Sequence, residues 1–260
     1  MTVRRPWWHS YPQPKLSFAK LLGPTRALAD DDWPTIGNVS ATSSRSSARS
    51  EGPRPTRRDQ ILAAARAAIE QYGPGAITGQ IAEHAGLARP NVYRHFASKD
   101  DLDLALARVA YRELRAAITS RLDLCGTPLD VVRAPIEAQT TWAGEHPNLY
   151  RFLVSRGHQR NRDDASRGAF AAELAAAGAR YFPHFADDPE AAEATLVSII
   201  GLVDASVLRW LDGRVETRDR LVDRLTSQAW LLIDHHLREF DVRLDPAVPL
   251  PDDAAEDART

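Results

Sequence analysis

The chain has 260 residues, 43% of them hydrophobic and 26% charged, with a formal net charge of −2. That is an ordinary globular composition with room for one large or two small domains, and it excludes a polycation. Cys125 is the only cysteine, which excludes an internal disulfide and a cysteine-rich zinc site and fits a reducing compartment.

Residues 1–55 read as a disordered or poorly ordered extension. The stretch "ATSSRSSARSEGPRPTRR" is rich in Ser, Arg, Gly and Pro and has no periodicity. Trp7, Trp8, Phe18 and Trp33 are unusual in such a tail and leave a short docking element open. The arginines near the start are followed by no apolar segment, so no secretory leader is expected. The longest apolar run, near 196–203, is too short to cross a bilayer, and a cytoplasmic protein with no membrane partner is expected.

From Arg57 the pattern turns helical. "RRDQILAAARAAIEQYG" places Ile61, Leu62, Ala65, Ala68, Ile69 and Tyr72 on one stripe, and the glycines at 73–75 end it. "ITGQIAEHAG" follows, with Thr78 as the expected N-cap and Ile81, Ala82 and Ala85 facing inward. Gly86 suits a left-handed turn. "ARPNVYRHF" is the third helix, with Pro90 in its first turn. Ser98–Asp101 has the loose form of a capping box and opens a longer helix.

Further helices are expected at about 99–124, 128–145, 147–156, 163–182, 189–212 and 217–240. No strand is convincing, so the fold class is all-α. The last two helices carry apolar residues on more than one face: Leu196, Ile199, Ile200, Val203, Val207 and Trp210 in one, and Leu221, Leu225, Ala229, Leu232, Ile233 and Leu237 in the other. A single core uses only one face of a helix. A homodimer through residues 189–240 is therefore expected, with Val207 and Leu225 in its interface. Residues 241–260 hold six acids against two arginines and read as an acidic tail.

Two short helices joined by a tight glycine turn, after a stabilising first helix, form a helix-turn-helix, whose second helix enters the DNA major groove by its N-terminal residues. Residues 52–99 hold seven Arg or Lys against three acids, a local excess that suits an anionic partner. Val92 and Phe96, four apart, are expected to pack on Ile81 and Ala82. The remaining positions are left for DNA. Arg89 offers the fork that fits guanine, Asn91 a base-edge or phosphate donor, and Tyr93, Arg94, His95 and Lys99 backbone contacts. Arg54, Arg57 and Arg58 form a candidate arm. Taken singly, Tyr93 also fits a core aromatic with a wet hydroxyl, His95 a helix end and Lys99 a solvated face. Together with the local charge they favour DNA.

"TGQIAEHAGLARPNVYRHFASKDDL" resembles the DNA-binding domain of TetR-family bacterial transcriptional regulators. The resemblance rests on Ile81-Ala82, Ala85-Gly86, Tyr93, His95-Phe96, Ser98-Lys99 and Leu102, and covers about residues 57–104. It implies a helix-turn-helix domain at 56–104 and a larger helical ligand-binding and dimerisation domain at 105–240. It implies phosphate contacts by Tyr93, His95 and Lys99 and base reading by Arg89, Pro90 and Asn91; Arg57, Thr78 and Arg94 complete the candidate DNA-binding set. Ala88 departs from the Ser or Thr common there, and Gly79 costs up to ~1 kcal/mol inside a helix.

The implied function is a repressor released from palindromic double-stranded operator DNA by a small-molecule inducer. The alternative is a DNA-binding regulator or architectural protein without a small ligand, controlled by a protein partner. Candidate pocket residues among the middle helices are Tyr111, Ile136, Gln139, Thr140, Trp142, Tyr150, Phe152, His158, Phe170 and Val203, with Ile118, Leu153 and Leu174 beside them. Each apolar one also fits plain core packing. Their apolar bias favours a lipophilic ligand. No Gly-x-Ser-x-Gly, phosphate-cradling glycine loop or His-Glu-x-x-His occurs, and His235 and His236 are adjacent and poorly placed to chelate one metal. Neither catalysis nor a cofactor is expected.

Overall fold

A computed structural model describes residues 55–122, 126–159, 164–213 and 215–250, without the side chains of 157–167. The expected extension over 1–55 falls outside it except for Pro55, as do Cys125, the side chain of His158 and residues 251–260. The described residues form helices and one 3-10 turn, with no strand among them.

α1 spans Arg57–Tyr72 and starts from a reciprocal cap: the Asp59 amide donates to the Thr56 hydroxyl, and the Thr56 amide donates to the Asp59 carboxylate. These bonds hold the Asp59 carboxyl below its usual range. The buried stripe is Ile61, Ala64, Ala65, Ala68 and Ile69. Leu62 only flanks the core, and Tyr72 is 44% exposed with its ring edge against His84, so the expected stripe is corrected at both positions.

α2 spans Thr78–His84. Its N-cap is Ile77, not Thr78, because the Gln80 side chain accepts the Ile77 amide and satisfies the helix end. The turn after α2 closes as a Schellman motif. Gly86 donates to Glu83 O and Leu87 to Ala82 O, with Gly86 at φ +62°. α3 is helical only over Arg89–Val92; residues 93–96 continue as turns, closed by the His95 and Phe96 amides on Val92 O. Val92, Phe96, Ile81 and Ala82 are all buried, as their spacing predicts.

α4 spans Lys99–Thr119, ending short of the expected 124. The Ser98 hydroxyl accepts the Asp101 amide, while the Asp101 carboxylate takes the Ala97 amide rather than that of Ser98. α5 spans Pro128–Glu145 and repeats the reciprocal cap with Thr127 and Asp130. Pro135 stands inside it and removes the amide that would bond Val131 O. α6 spans Pro147–Gln159. α7 spans Asp164–Gly178, ending earlier than expected, because the Ala179 to Phe182 segment turns into a 3-10 turn at Pro183–Phe185. Gly178 lies against Phe185, whose ring would stand 3.3 Å from any Cβ there.

α8, Pro189–Gly213, packs on α7 and on α9, Arg218–Arg238; α9 packs on α5. Asp241, at φ +58°, carries the chain out of α9 through a second Schellman turn. Residues 241–250 then run back to α5 rather than trailing away as a tail. Leu129 donates to Pro246 O, Leu250 donates to Gly126 O, and Val242, Leu244 and Leu250 pack on the core.

Two charged contacts fix α1–α4 against α6. The Glu70 carboxylate accepts the amides of Asn148 and Leu149 at the start of α6, and the Asn148 side chain donates to Glu70 O. A negative group there also meets the positive end of the helix dipole. Asp103, only 4% exposed, accepts from Lys99 Nζ and from Arg156 of α6, each at 2.6 Å.

Gly86→Ala is expected to lower stability by ~1–2 kcal/mol, because a Cβ meets no neighbour there and only the left-handed backbone is penalised. Gly86→Asn should lose less. Urea unfolding of the three proteins checks the order, and equal stability of all three would contradict it.

Candidate nucleic-acid interface and core cavity

No acidic residue lies between Arg89 and Lys99. Folding buries Val92 and Phe96 from this stretch and leaves Arg89, Pro90, Tyr93, Arg94 and His95 exposed, with Asn91 and Lys99 partly so. The result is a cationic surface on a short helix that packs on α2 and is followed by a turn braced from α1 by Arg58.

Thr78 does not reach outward. It is 4% exposed, and its hydroxyl shares a 3.2 Å hydrogen bond with the Tyr93 hydroxyl. Hydrogen bonding by Thr78, and secondarily by Arg89, holds the Tyr93 phenol below its usual range. Thr78 thus orients Tyr93, and Tyr93 in turn borders Arg89. Arg57 is exposed and bonds Gln60. Arg58 is committed to the fold, because it donates to His95 O at 2.7 Å and lies 4.1 Å over the Phe96 ring. It therefore braces the turn after α3 rather than serving as a free arm. Arg54 lies outside the described residues. Lys99 keeps 29% of its side chain exposed while held by Asp103. Arg94 has no ion pair among the described residues.

The second feature is a partly enclosed cavity of about 100 Å³ among α4, α5, α7, α8 and α9. Of the residues expected to line a pocket, Ile136, Gln139, Phe170 and Val203 do so, with Ile118 and Leu174. The other described candidates lie elsewhere, and the side chain of His158 is outside the described residues. Thr140 is buried and bonds Ile136 O; Trp142 packs on His146 and Tyr150; Phe152 carries Arg156 over its ring. Tyr111 sets its ring edge on Phe170. Tyr150 is fully buried in a triangle with Gln139 and Asp204, and burial first, then Asp204, pushes its phenol well above the ordinary range. Sequence reasoning missed Pro135, Tyr181, Phe182 and Phe185, which also line the cavity. The proline inside an apolar helix and the aromatic run after Gly178 were the available signals.

Residues 61–106, from inside α1 to within α4, match the family model described as bacterial regulatory proteins, tetR family. This segment belongs to the TetR family of DNA-binding domains. The HTH-type transcriptional repressor Rv1474c of Mycobacterium tuberculosis is 39% identical over 131 residues, 49% of this chain and 65% of that protein's length. The match thus spans somewhat less than two thirds of that relative. Among solved structures, a tetR-family transcriptional regulator from Streptomyces coelicolor has a TM-score of 0.54 at 22% identity, covering 70% of this chain and 82% of its own. The fatty acid degradation regulator FadR from Bacillus halodurans has a TM-score of 0.54 at 18% identity, covering 68% and 96%. These two likenesses establish a shared TetR-like fold.

Within this TetR-type segment, Thr78→Val is expected to return the Tyr93 phenol toward its ordinary value, and Arg89→Ala to do so less. Carbon-13 NMR titration of tyrosine reads both; a Tyr93 titration unmoved by Thr78→Val would contradict the bond.

Proposed function

We propose that this chain is a DNA-binding repressor that reads a palindromic operator as a homodimer and is released by a small apolar ligand. The observation that carries the reading is the acid-free surface of α3, with Arg89 at its exposed start and Val92 and Phe96 anchoring it from beneath. Arg89, Pro90 and Asn91 face base edges in this reading. Tyr93, Arg94, His95, Lys99 and Arg57 hold phosphates, and Thr78 positions Tyr93. Residues 56–104 act as the DNA-binding part and 105–240 as the ligand-binding and dimerisation part.

The dimer is supported by α8. It has 25 residues and passes as long and apolar enough to cross a membrane by length and composition alone, although its uninterrupted apolar run is short; only 28% of its most apolar stretch is buried. α8 also carries Asp204 and Arg209 and packs on α7 and α9. Leu231 and Leu232 of α9 are exposed as well. A second copy over these faces would remove that apolar surface from water.

Val207 and Leu225, expected in that interface, are both 0% exposed within one chain. An arginine at either would break the fold itself. Leu231→Arg is the suitable test. Light scattering should give a dimer for the unaltered protein and a monomer for Leu231→Arg with unchanged helicity. A monomer in both would remove the dimer from the reading.

One observation favours the alternative of a regulator without a small ligand. The cavity of about 100 Å³ is below the ~300 Å³ typical of drug-sized sites. The ligand reading therefore requires a compact molecule.

Selection of binding sites from random duplexes is expected to yield an inverted repeat whose half-sites are ~34–36 Å apart. Arg89→Ala should cost about 1–3 kcal/mol on that operator and relax one base pair per half-site. Lys99→Ala should weaken operator and scrambled DNA alike and reduce the salt dependence by about one unit per half-site. Equal loss on both duplexes for Arg89→Ala would make Arg89 a phosphate contact and overturn its role as reader.

A further inference from the structure

The cavity has a polarity that narrows what it can hold. Among the described residues, no lysine, arginine or histidine lines it. Gln139 and Tyr181 are its polar members, and the Tyr181 hydroxyl already donates to Leu122 O at 2.7 Å. Gln139 is fixed from behind. Its amide nitrogen donates to the Tyr150 hydroxyl at 2.8 Å and to Asp204 Oδ1 at 2.9 Å, and Tyr150 donates to the same oxygen at 2.9 Å.

A carboxylate only accepts hydrogen bonds. Asp204 therefore dictates which end of the Gln139 amide faces it, and both amide hydrogens are used. The amide oxygen is the hydrogen-bonding atom that Gln139 keeps for a guest. Behind that acceptor stands the Asp204 carboxylate, and the described residues of the cavity wall include no cation.

We infer that the ligand of this cavity is a compact, neutral, single-ring lipophile with one hydroxyl donor, and that the site excludes free carboxylic acids at neutral pH. The inference rests on the ligand-responsive reading above and names the class that reading leaves open. The size argument sets an upper bound: a dry cavity of ~150 Å³ accepts benzene, and this one is about 100 Å³, so a single ring reaching into its open side fills it and a second ring has no room. The charge argument follows from desolvation. A carboxylate entering the cavity would exchange water for apolar walls, an acceptor oxygen and a second carboxylate. A hydroxyl exchanges one acceptor for another.

The experiment compares toluene, benzyl alcohol and benzoate on the full chain at pH 7, by methyl NMR titration following Ile136, Ile199 and Val203. Benzyl alcohol is expected to bind at least as tightly as toluene, because a buried hydroxyl without a partner would weaken it by about tenfold or more. Benzoate is expected to bind at least ~100-fold more weakly than the alcohol. In Gln139→Leu the alcohol should fall below toluene. Should that variant fold poorly, the order of the three probes on the unaltered protein still decides. Benzoate binding as tightly as the alcohol, or toluene binding tenfold tighter than the alcohol, overturns the class while leaving a ligand site in place. If no probe moves those methyls while operator binding is intact, the cavity is packing and the ligand-responsive reading falls with the class.

Discussion

A buried charge has to be paired, and Asp103 is where this protein meets that demand. Its carboxylate is almost wholly removed from water and is matched by Lys99 from one side and Arg156 from the other. Removing either cation would strand part of a desolvated charge, a loss far larger than that of an exposed ion pair. The start of α4 is thereby tied to α6. Glu70, seated on the first amides of α6, ties the end of α1 to the same helix. The α3 surface hangs from α1 and α2, so its position relative to the rest of the chain follows from these two carboxylates. Lys99 also sits beside the α3 surface, so the same ammonium serves the fold and borders the proposed DNA face.

The helices around the cavity obey a different rule. There the contacts are mostly apolar, and Gln139 bonds Tyr150 and Asp204 at the edge of the cavity. Arg133 of α5 pairs with Asp223 of α9 near the surface, where such a pair adds little. Packing of α5, α8 and α9 is thus set by shape and by burial of Val203, Val207, Leu225, Ala229 and Ile233. α8 and α9 use one face for this and leave the other to solvent, which is the physical meaning of their two-faced sequence.

Local chemistry was legible in the sequence. The Ser98 cap of α4, the glycine at 86 and the four-residue spacing of Val92 and Phe96 each act over a few residues, and each reads correctly. What stayed hidden depends on partners far along the chain. Nothing near Asp103 announces Arg156, and nothing near Glu70 announces Asn148. Thr78 looks like a cap because caps are common at such a position, but Gln80 takes that task and frees Thr78 for Tyr93. The pocket was legible only in part for a related reason. Large aromatic residues were natural candidates, yet Trp142 and Phe152 fill space between helices, while Pro135 and Phe185 reach the cavity because of a helix defect and an early helix end.

That defect has a mechanical side. Pro135 leaves one rung missing from the hydrogen-bond ladder of α5, opposite the Val131 carbonyl, and both residues are on the cavity wall. A helix bends most cheaply where a rung is absent. The wall is therefore compliant at the place where a guest would press on it, while its two ends stay clamped, by the Thr127 cap at one and by Glu145 and His146 running into α6 at the other. Compliance of this kind trades exactness of fit for breadth, so a cavity with such a wall would sort guests by polarity more strictly than by length.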